Sequence, residues 1–200
     1  MKNLVKTIGM ILSAVRLTPH LILLVTRDKD GLIRSDIERW NEIYLKNKNF
    51  RPALAFVQLM TIYPEYRSLF YHRAGWLGKM VSPLCRPMNT LFISTDIIGP
   101  GLFIQHGFAT IIAAKSIGTN CWINQQVTIG YSNANDCPTI GDNVTINAGA
   151  KVIGGVTIGN NSKVGANAVV VKNVPANATV VGVPARIVKR DGKRVDEPLC

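Results

Sequence analysis

The sequence is poor in the residues that build metal centres and disulfide frameworks. Its 200 residues include four cysteines and three histidines. The cysteines, at positions 85, 121, 137 and 200, form no C-x-x-C pair and no zinc-binding spacing, so we expect no metal. A few scattered thiols in a chain of this length are typical of a reduced, cytoplasmic protein rather than a secreted, disulfide-bonded one.

Long hydrophobic runs are also missing. Residues 1–25 are apolar and slightly basic, but Arg16, Pro19 and His20 interrupt them before they reach the roughly 20 residues that span a bilayer. Two interpretations of this segment stay open. It is either a helix packed on its own protein or on another subunit, or a basic amphipathic segment that makes peripheral contact with a membrane.

Acidic residues are scarce, with 12 Asp and Glu against 23 Lys and Arg and a net charge of +11. Residues 1–90 hold 14 of these basic residues and 6 of the acidic ones. A basic chain favours anionic partners such as a membrane surface, a nucleotide-like cofactor or nucleic acid. No DNA- or RNA-binding motif accompanies the charge, so we do not expect nucleic acid as a partner.

Residues 1–90 are predicted to form a small helical region. Ser35 and Glu38 have the spacing of a capping box, which predicts that a helix begins at Ser35. Pro52 and Pro64 suit the first turns of two further helices, the second running to Gly75. The Gly- and Pro-containing residues 76–90 are interpreted as a connection.

Beyond this region, large apolar residues recur every six positions. One series runs through Ile98, Ile104, Ile111, Ile117, Ile123 and Ile129, with a slip of one residue before Ile111, and a second through Ile140, Ile146, Val152, Ile158, Val164 and Val170. Residues spaced six apart would be scattered around the circumference of an α-helix. The same spacing matches one flat face of a triangular coil. The repeat predicts a mainly β protein, a parallel β-helix over residues 91–189, followed by a polar tail over 190–200. The wider gap between Ile129 and Ile140 predicts a protruding loop at 131–139.

Three segments of the β-helix resemble the serine acetyltransferase family of left-handed, hexapeptide-repeat acyltransferases. They are Gly-Pro-Gly-Leu-Phe-Ile-Gln-His at 99–106, Ile-Asn-Gln-Gln-Val-Thr-Ile-Gly at 123–130, and Val-Gly-Val-Pro-Ala-Arg-Ile-Val at 181–188. The resemblance implies acetyl transfer from acetyl-CoA to a hydroxyl, with His106 as the general base. Imidazole suits that task because its ordinary pKa leaves it neutral near physiological pH.

The resemblance also implies where the cofactor binds. In this fold CoA lies in a groove between neighbouring subunits, so a homotrimer is expected, with a dimer of trimers as the larger assembly. The positions that match the family's CoA contacts are Ala148, Ala166, Lys172, Arg186 and Lys189. Small side chains let the pantetheine arm approach the backbone, and cations meet the phosphates.

The sequence departs from the family at the acceptor pocket. Gln105 stands where an acidic residue usually precedes the catalytic histidine, and Asp136 and Cys137 stand where an arginine and a second histidine are usual. The carboxylate that orients the histidine would align with Leu91, so we expect Asp96, close by, to replace it. Gln125 is a further candidate for substrate binding.

These departures leave the acceptor open. One hypothesis is L-serine, as in cysteine biosynthesis. The alternative is a saccharide hydroxyl in polysaccharide biosynthesis, since amides such as Gln105 and Gln125 suit a neutral substrate better than a zwitterion. A further alternative is a β-helix that binds a ligand or protein without catalysis. A β-helix carbonic anhydrase is not expected, because His106 is the only histidine in the repeat region.

Overall fold

The computed structural model describes residues 15–46, 50–134 and 136–199. The chain divides into two compact units, Met1–Met88 and Asn89–Cys200. Within the part of the chain so described, no helix combines the length and the apolar character that crossing a membrane requires. The predicted membrane contact of residues 1–25 falls largely on residues 1–14, which lie outside the described residues.

The first unit is helical. It contains α1 (Thr18–Arg27), α2 (Leu32–Trp40), α3 (Pro52–Ile62), α4 (Pro64–Ala74) and α5 (Trp76–Val81), with a π-helical turn at Asn41–Leu45 and a 3-10 turn at Ser82–Leu84. Trp40, Phe56, Tyr66 and Phe70 are buried together with edge-to-face ring contacts. A buried ion pair between Arg73 and Asp36, with Nε and Oδ2 3.0 Å apart, joins α4 to α2.

Two helix starts and one helix end agree with the sequence analysis. Pro52 and Pro64 open α3 and α4, and Gly75 closes α4 with its N–H bonded to the carbonyls of Tyr71 and His72. The capping-box prediction was wrong, because α2 begins before Ser35. Asp28 instead accepts hydrogen bonds from the N–H groups of Ile33 and Arg34, at 2.8 and 3.1 Å.

The predicted connection at 76–90 also needs correction, since residues 76–84 continue the helical unit. Ser82, Pro83 and Leu84 form the 3-10 turn, whose Ser82 carbonyl accepts the N–H of Cys85. Glycine and proline therefore shorten these helices without excluding them, because Pro83 falls in a first turn, where no backbone N–H partner is lost.

The second unit is the predicted parallel β-helix, with about five coils and three faces. The first sheet contains β1 (Leu91–Ile93), β4 (Thr110–Ile112), β7 (Thr128–Gly130), β10 (Lys151–Ile153) and β13 (Val169–Val170). The second contains β2 (Ile97–Ile98), β5 (Ser116–Ile117), β8 (Thr139–Ile140) and β11 (Thr157–Ile158). The third contains β3 (Phe103–Ile104), β6 (Trp122–Ile123), β9 (Thr145–Ile146), β12 (Lys163–Val164), β14 (Ala178–Val181), β15 (Arg186–Arg190) and β16 (Lys193–Pro198).

The repeated apolar residues stack on their copies in the next coil. In the third sheet Ile104, Ile123, Ile146 and Val164 pair in register, and all four are buried. Each such side chain contributes about 1.5–3 kcal/mol of burial free energy. These columns confirm the prediction that the six-residue period buries one branched side chain per face.

Polar corners separate the second sheet from the third. Asn120, Asn143, Asn161 and Asn177 adopt positive φ there, and the side chains of Asn143, Asn161 and Asn177 hydrogen-bond to one another along the corner. Asparagine tolerates the left-handed conformation because its short side chain bonds locally. The coil therefore turns tightly without needing glycine at every level.

Two sequence expectations in this unit were wrong. Ile111 was assigned to the interior, but Ile112 is the buried residue and Ile111 is 44% exposed. Residues 190–200 were expected to be a polar tail, but β16 pairs antiparallel with β15 and extends the third sheet. The register with the next coil decides the first case. In the second case the tight turn at Asp191 and Gly192, both at positive φ, joins β15 to β16 and was missed.

Candidate active site

The corners between the third and first sheets form one continuous edge of the β-helix. We call residues 105–109, 124–127, 147–150 and 165–168 the His106 edge. Its first turn is the longest, with seven residues between the buried Ile104 and Ile112 against five between Ile123 and Ile129. The two additional residues make this turn unlike the corners stacked on it.

His106 lies in that longer turn, with its side chain exposed. The backbone of His106 is left-handed, at φ 64°, and Gly107 and Ala109 follow with φ 53° and 51°. The N–H of Phe108 donates to the carbonyl of His106 at 2.7 Å, which closes the turn tightly. A non-glycine residue in this conformation is uncommon, and such strain is concentrated at functional sites.

Phe108, Gln125, Ala148 and Ala166 occupy the same position in four successive coils, and His106 and Gly107 are the two residues inserted before the first of them. The coils are aligned by equivalent hydrogen bonds, in which the N–H groups of Gln126, Gly149 and Asn167 donate to the carbonyls of Phe108, Gln125 and Ala148. Coils of a parallel β structure are about 4.8 Å apart, so these four positions form a row. The structure thus brings together the predicted base, the two predicted CoA-contacting alanines and Gln125.

Gln105 is half-buried and takes part in a side-chain network. The indole Nε1–H of Trp122 donates to Gln105 Oε1 at 3.2 Å and to Asn124 Oδ1 at 2.8 Å. Trp122 was missed as a site residue in the sequence analysis. Trp122 lies on β6 and Asn124 directly follows that strand, so their two-residue spacing is the signal that places both on one face.

The hydrogen-bond partners of Asp136 lie within its own loop. Its carboxylate accepts hydrogen bonds from the hydroxyl and N–H of Ser132 and from the N–H and side-chain amide of Asn133. The Ser132 hydroxyl, followed by the Asn133 N–H, lowers the pKa of Asp136. The neighbouring Cys137 is a half-buried free thiol. Asp136 therefore organises the protruding loop.

Asp96 does not lie beside His106 within one chain, contrary to expectation. It follows β1 at the corner between the first and second sheets, whereas the other end of β1, at Leu91, pairs with Thr110 near His106. The three strand residues between these corners span about 10 Å. Position 91, which aligns with the carboxylate expected to orient His106, holds a buried leucine.

The three predicted phosphate-binding cations are divided between two pockets. Lys172 and Arg186 line a pocket of about 330 Å³ together with Val183 and Pro184. Lys189 lines a different pocket, of about 520 Å³, with Lys163 and other residues of the third sheet. Only Lys172 and Arg186 therefore lie together.

Neither cation of the smaller pocket is free of contacts. Arg186 forms an exposed ion pair with Asp196, at 2.9 Å, and Lys172 Nζ donates to the Leu199 carbonyl at 3.2 Å. Exposed ion pairs are worth about 0–1 kcal/mol, so an anionic ligand can compete for Arg186. Among the described residues, no group of three or more His, Cys, Asp or Glu side chains is arranged to hold a metal ion.

Comparisons with known proteins agree with the predicted family and fold. Residues 137–172 match the family model described as bacterial transferase hexapeptide (six repeats). Over 154 residues, 70% of this chain, the sequence is 37% identical to a serine acetyltransferase from Synechococcus elongatus. Over 124 residues it is 49% identical to a serine acetyltransferase from Staphylococcus xylosus. The matched regions cover 63% and 57% of these two relatives, so the chain spans about three fifths of their length.

A solved structure of similar fold is the serine acetyltransferase of Brucella abortus in complex with coenzyme A. It superposes with a TM-score of 0.61 at 26% sequence identity, over 88% of this chain and 73% of that one. The likeness therefore extends beyond the repeat itself into residues before it.

Proposed function

The chain belongs to the serine acetyltransferase family of hexapeptide-repeat proteins, and from that premise we propose that it transfers an acetyl group from acetyl-CoA to a hydroxyl. The observation that supports this most directly is the position of His106, inserted in the first turn of the His106 edge, beside the row that runs through Gln125 to Ala148 and Ala166. One exposed imidazole therefore lies on the same edge of a rigid coil as two small side chains.

We propose that His106 is the catalytic base. Its neutral imidazole would take the proton from the acceptor hydroxyl as that oxygen forms a bond to the thioester carbonyl carbon. The tetrahedral intermediate then collapses, the carbon–sulfur bond breaks, and the CoA sulfur leaves with the proton from the imidazolium. A positioned base of this kind is worth about 10²–10⁴ in rate.

The acyl donor would lie along the His106 edge. Ala148 and Ala166 leave the backbone open to the pantetheine arm, and the next coil of the same edge, residues 182–185, contributes to the pocket that holds Lys172 and Arg186. These two cations are the proposed phosphate contacts. Lys189 was expected to join them, but it lines a different pocket, so we leave it out of the proposed cofactor site.

We propose that the active form is a homotrimer. The His106 edge is open on one side in a single chain, as the exposure of Ala166 shows, and a groove needs a second wall. Size-exclusion chromatography with light scattering should give a mass three times 21.9 kDa, or six times for a dimer of trimers. A monomeric mass in an active preparation would contradict the shared groove.

L-Serine is the first candidate acceptor, because the relatives are named serine acetyltransferases. One observation favours the second candidate, a saccharide hydroxyl. The His106 edge contains no acidic residue, Asp136 is engaged within its own loop, and Asp96 lies on another edge. An ammonium group would therefore lack a carboxylate partner there.

The reaction is tested by following thiol release from acetyl-CoA with L-serine and with a panel of sugars and nucleotide sugars. Turnover with at least one hydroxyl acceptor is expected. Rapid turnover with serine and none with any saccharide would exclude the second candidate. The absence of acceptor-dependent release throughout would instead support a β-helix that binds without catalysis.

A further inference from the structure

A single N–H group sets the orientation of two amides beside His106. Trp122 Nε1 lies 3.2 Å from Gln105 Oε1 and 2.8 Å from Asn124 Oδ1, so one donor serves both side chains. Gln105 directly precedes His106, and Asn124 directly precedes Gln125 in the coil above. The two amides therefore border His106 and the row that runs through Gln125.

The direction in which these amides point follows from the chemistry of indole. Trp Nε1–H is a donor only, so an amide can meet it only through its oxygen. Both NH₂ groups are consequently turned away from the indole. An amide without such a partner can rotate by 180° and offer either its oxygen or its NH₂ group to a ligand, but Gln105 and Asn124 are held in one state.

The indole is itself held in place. The rings of Trp122 and Phe103 are in edge-to-face contact, with centroids 4.6 Å apart and an interplanar angle of 72°, and Phe103 is fully buried. Trp122 is half-buried on β6, a strand paired on both sides. The N–H group of Trp122 is therefore held in a fixed position on the third sheet.

We propose that Trp122 determines acceptor specificity. By engaging the amide oxygens of Gln105 and Asn124 it makes this side of the His106 edge a surface of NH₂ donors. Such a surface recognises oxygen acceptors, the hydroxyl or carboxylate oxygens that flank the reacting hydroxyl in a saccharide or a hydroxy acid. It disfavours an acceptor with an ammonium group there, because donor would face donor. This inference rests on the proposed function.

The test uses two acceptors that differ at one group. L-Glycerate has the skeleton of L-serine with a hydroxyl in place of the ammonium group. Steady-state thiol release from acetyl-CoA gives kcat and KM for each, with a methyl glycoside as a third acceptor. We expect kcat/KM for glycerate to exceed that for serine by at least about tenfold. This is the usual effect on kcat/KM when one polar group of a substrate meets the wrong partner in a partly open site.

Two variants separate specificity from folding. Trp122→Phe keeps an aromatic ring against Phe103 but removes the N–H, so it should narrow the glycerate preference to about threefold or less, by changing the KM values for the acceptors. The kcat values and the KM for acetyl-CoA should change little. Gln105→Glu should shift the preference towards serine by about tenfold, because its carboxylate can accept from an ammonium group. Trp76→Phe, the same change at an exposed tryptophan of α5, is the matched control and should leave the ratio unchanged.

The outcomes are distinguishable. If no acceptor releases thiol, the acetyltransferase proposal itself fails. If thiol is released but serine is preferred over glycerate, or if Trp122→Phe changes both acceptors equally, the reaction stands and the specificity role of Trp122 is wrong. If Trp122→Phe proves too unstable to assay, Trp122→Met, which also lacks the N–H and keeps an apolar side chain against Phe103, should narrow the glycerate preference in the same way.

Discussion

Ile112 lies in register with Ile129 of the next coil, and both side chains are fully buried. Ile111, one position earlier, therefore points outward. A shift of one residue exchanges the two faces of a strand, so this register decides which isoleucine belongs to the core.

Truncating the two neighbours should have very different effects on stability. Ile112→Ala should lower the free energy of unfolding by about 2–5 kcal/mol, because it leaves a cavity in the stack. Ile111→Ala, the matched control, should cost less than about 1 kcal/mol, since its side chain is partly exposed. Urea unfolding followed by circular dichroism measures both, and equal losses would contradict this register.

The proposed base is tested by His106→Asn. Asparagine tolerates the left-handed backbone at φ 64°, so the turn should survive while the base is lost. The kcat should fall by at least about a hundredfold, with the KM for acetyl-CoA almost unchanged. Asp191→Asn, which places the same residue at an exposed left-handed position in the turn between β15 and β16, should retain full activity. Undiminished turnover in His106→Asn would remove the mechanism.

Close stacking of the coils predicts a strong effect of adding one methyl group at Gly118. A Cβ there would lie 2.6 Å from the carbonyl carbon of Gly141 and 2.7 Å from the backbone N of Asp142, which cannot move independently. Gly118→Ala should therefore destabilise the β-helix by more than about 2 kcal/mol. At Gly130 the nearest atom is a Thr128 methyl at 3.9 Å, so Gly130→Ala should be tolerated. Similar melting temperatures for the two variants would argue against the stacked corner.

The helical unit should lose stability in acid through His20. Burial, together with the charge of Arg16, lowers the pKa of His20 to about 4. The ring is fully buried, with Nε2 2.8 Å from the Tyr71 hydroxyl, whose own proton is donated to the Cys85 carbonyl. The folded state thus holds the neutral imidazole.

The direction of this pH effect on stability follows from the protons bound by the folded and unfolded chains. Between pH 6.5 and 4 the unfolded chain takes up a proton at His20 that the folded chain does not, so stability present above pH 6.5 is lost as the pH falls. Between pH 7.5 and 5 the loss should be about 2 kcal/mol, measured by urea unfolding. His20→Gln should remove most of this dependence, whereas His72→Gln should keep it. An unchanged pH profile in His20→Gln would show that another group is responsible.

The loop at 131–137 should also respond to pH. Hydrogen bonds from Ser132 and Asn133 lower the pKa of Asp136, so the carboxylate form holds the loop closed. This contribution is present above the ordinary carboxyl pKa and is lost as the pH falls through the lowered one. Amide exchange at Ser132 and Asn133 should accelerate in acid in the wild type, relative to unstructured amides at the same pH. Asp136→Ala should show that acceleration at neutral pH, and protected amides in this variant would contradict the role of Asp136.

The sequence by itself determined the β-helix and the most prominent residue of the candidate site. A period of six is a local property, two-residue alternation plus a corner, so it can be read without knowing any partner. The alanines at 148 and 166 occupy equivalent places in that period, whereas the single histidine of the repeat was identified from the motif around it. Prolines at 52 and 64 likewise marked helix starts, because their constraint acts within one turn.

Only the tertiary structure decided what depends on pairing between coils. The interior position of Ile112 and the separation of Asp96 from His106 follow from registers between neighbouring coils, in which the paired residues are 17 and 19 positions apart. The strand Lys193–Pro198 follows from its antiparallel pairing with β15. The same holds for Trp122, whose N–H meets Gln105 17 positions earlier. Insertions of one or two residues in a turn change such registers while leaving the local pattern nearly intact, so the pattern predicts the coil but not which side chains meet across it.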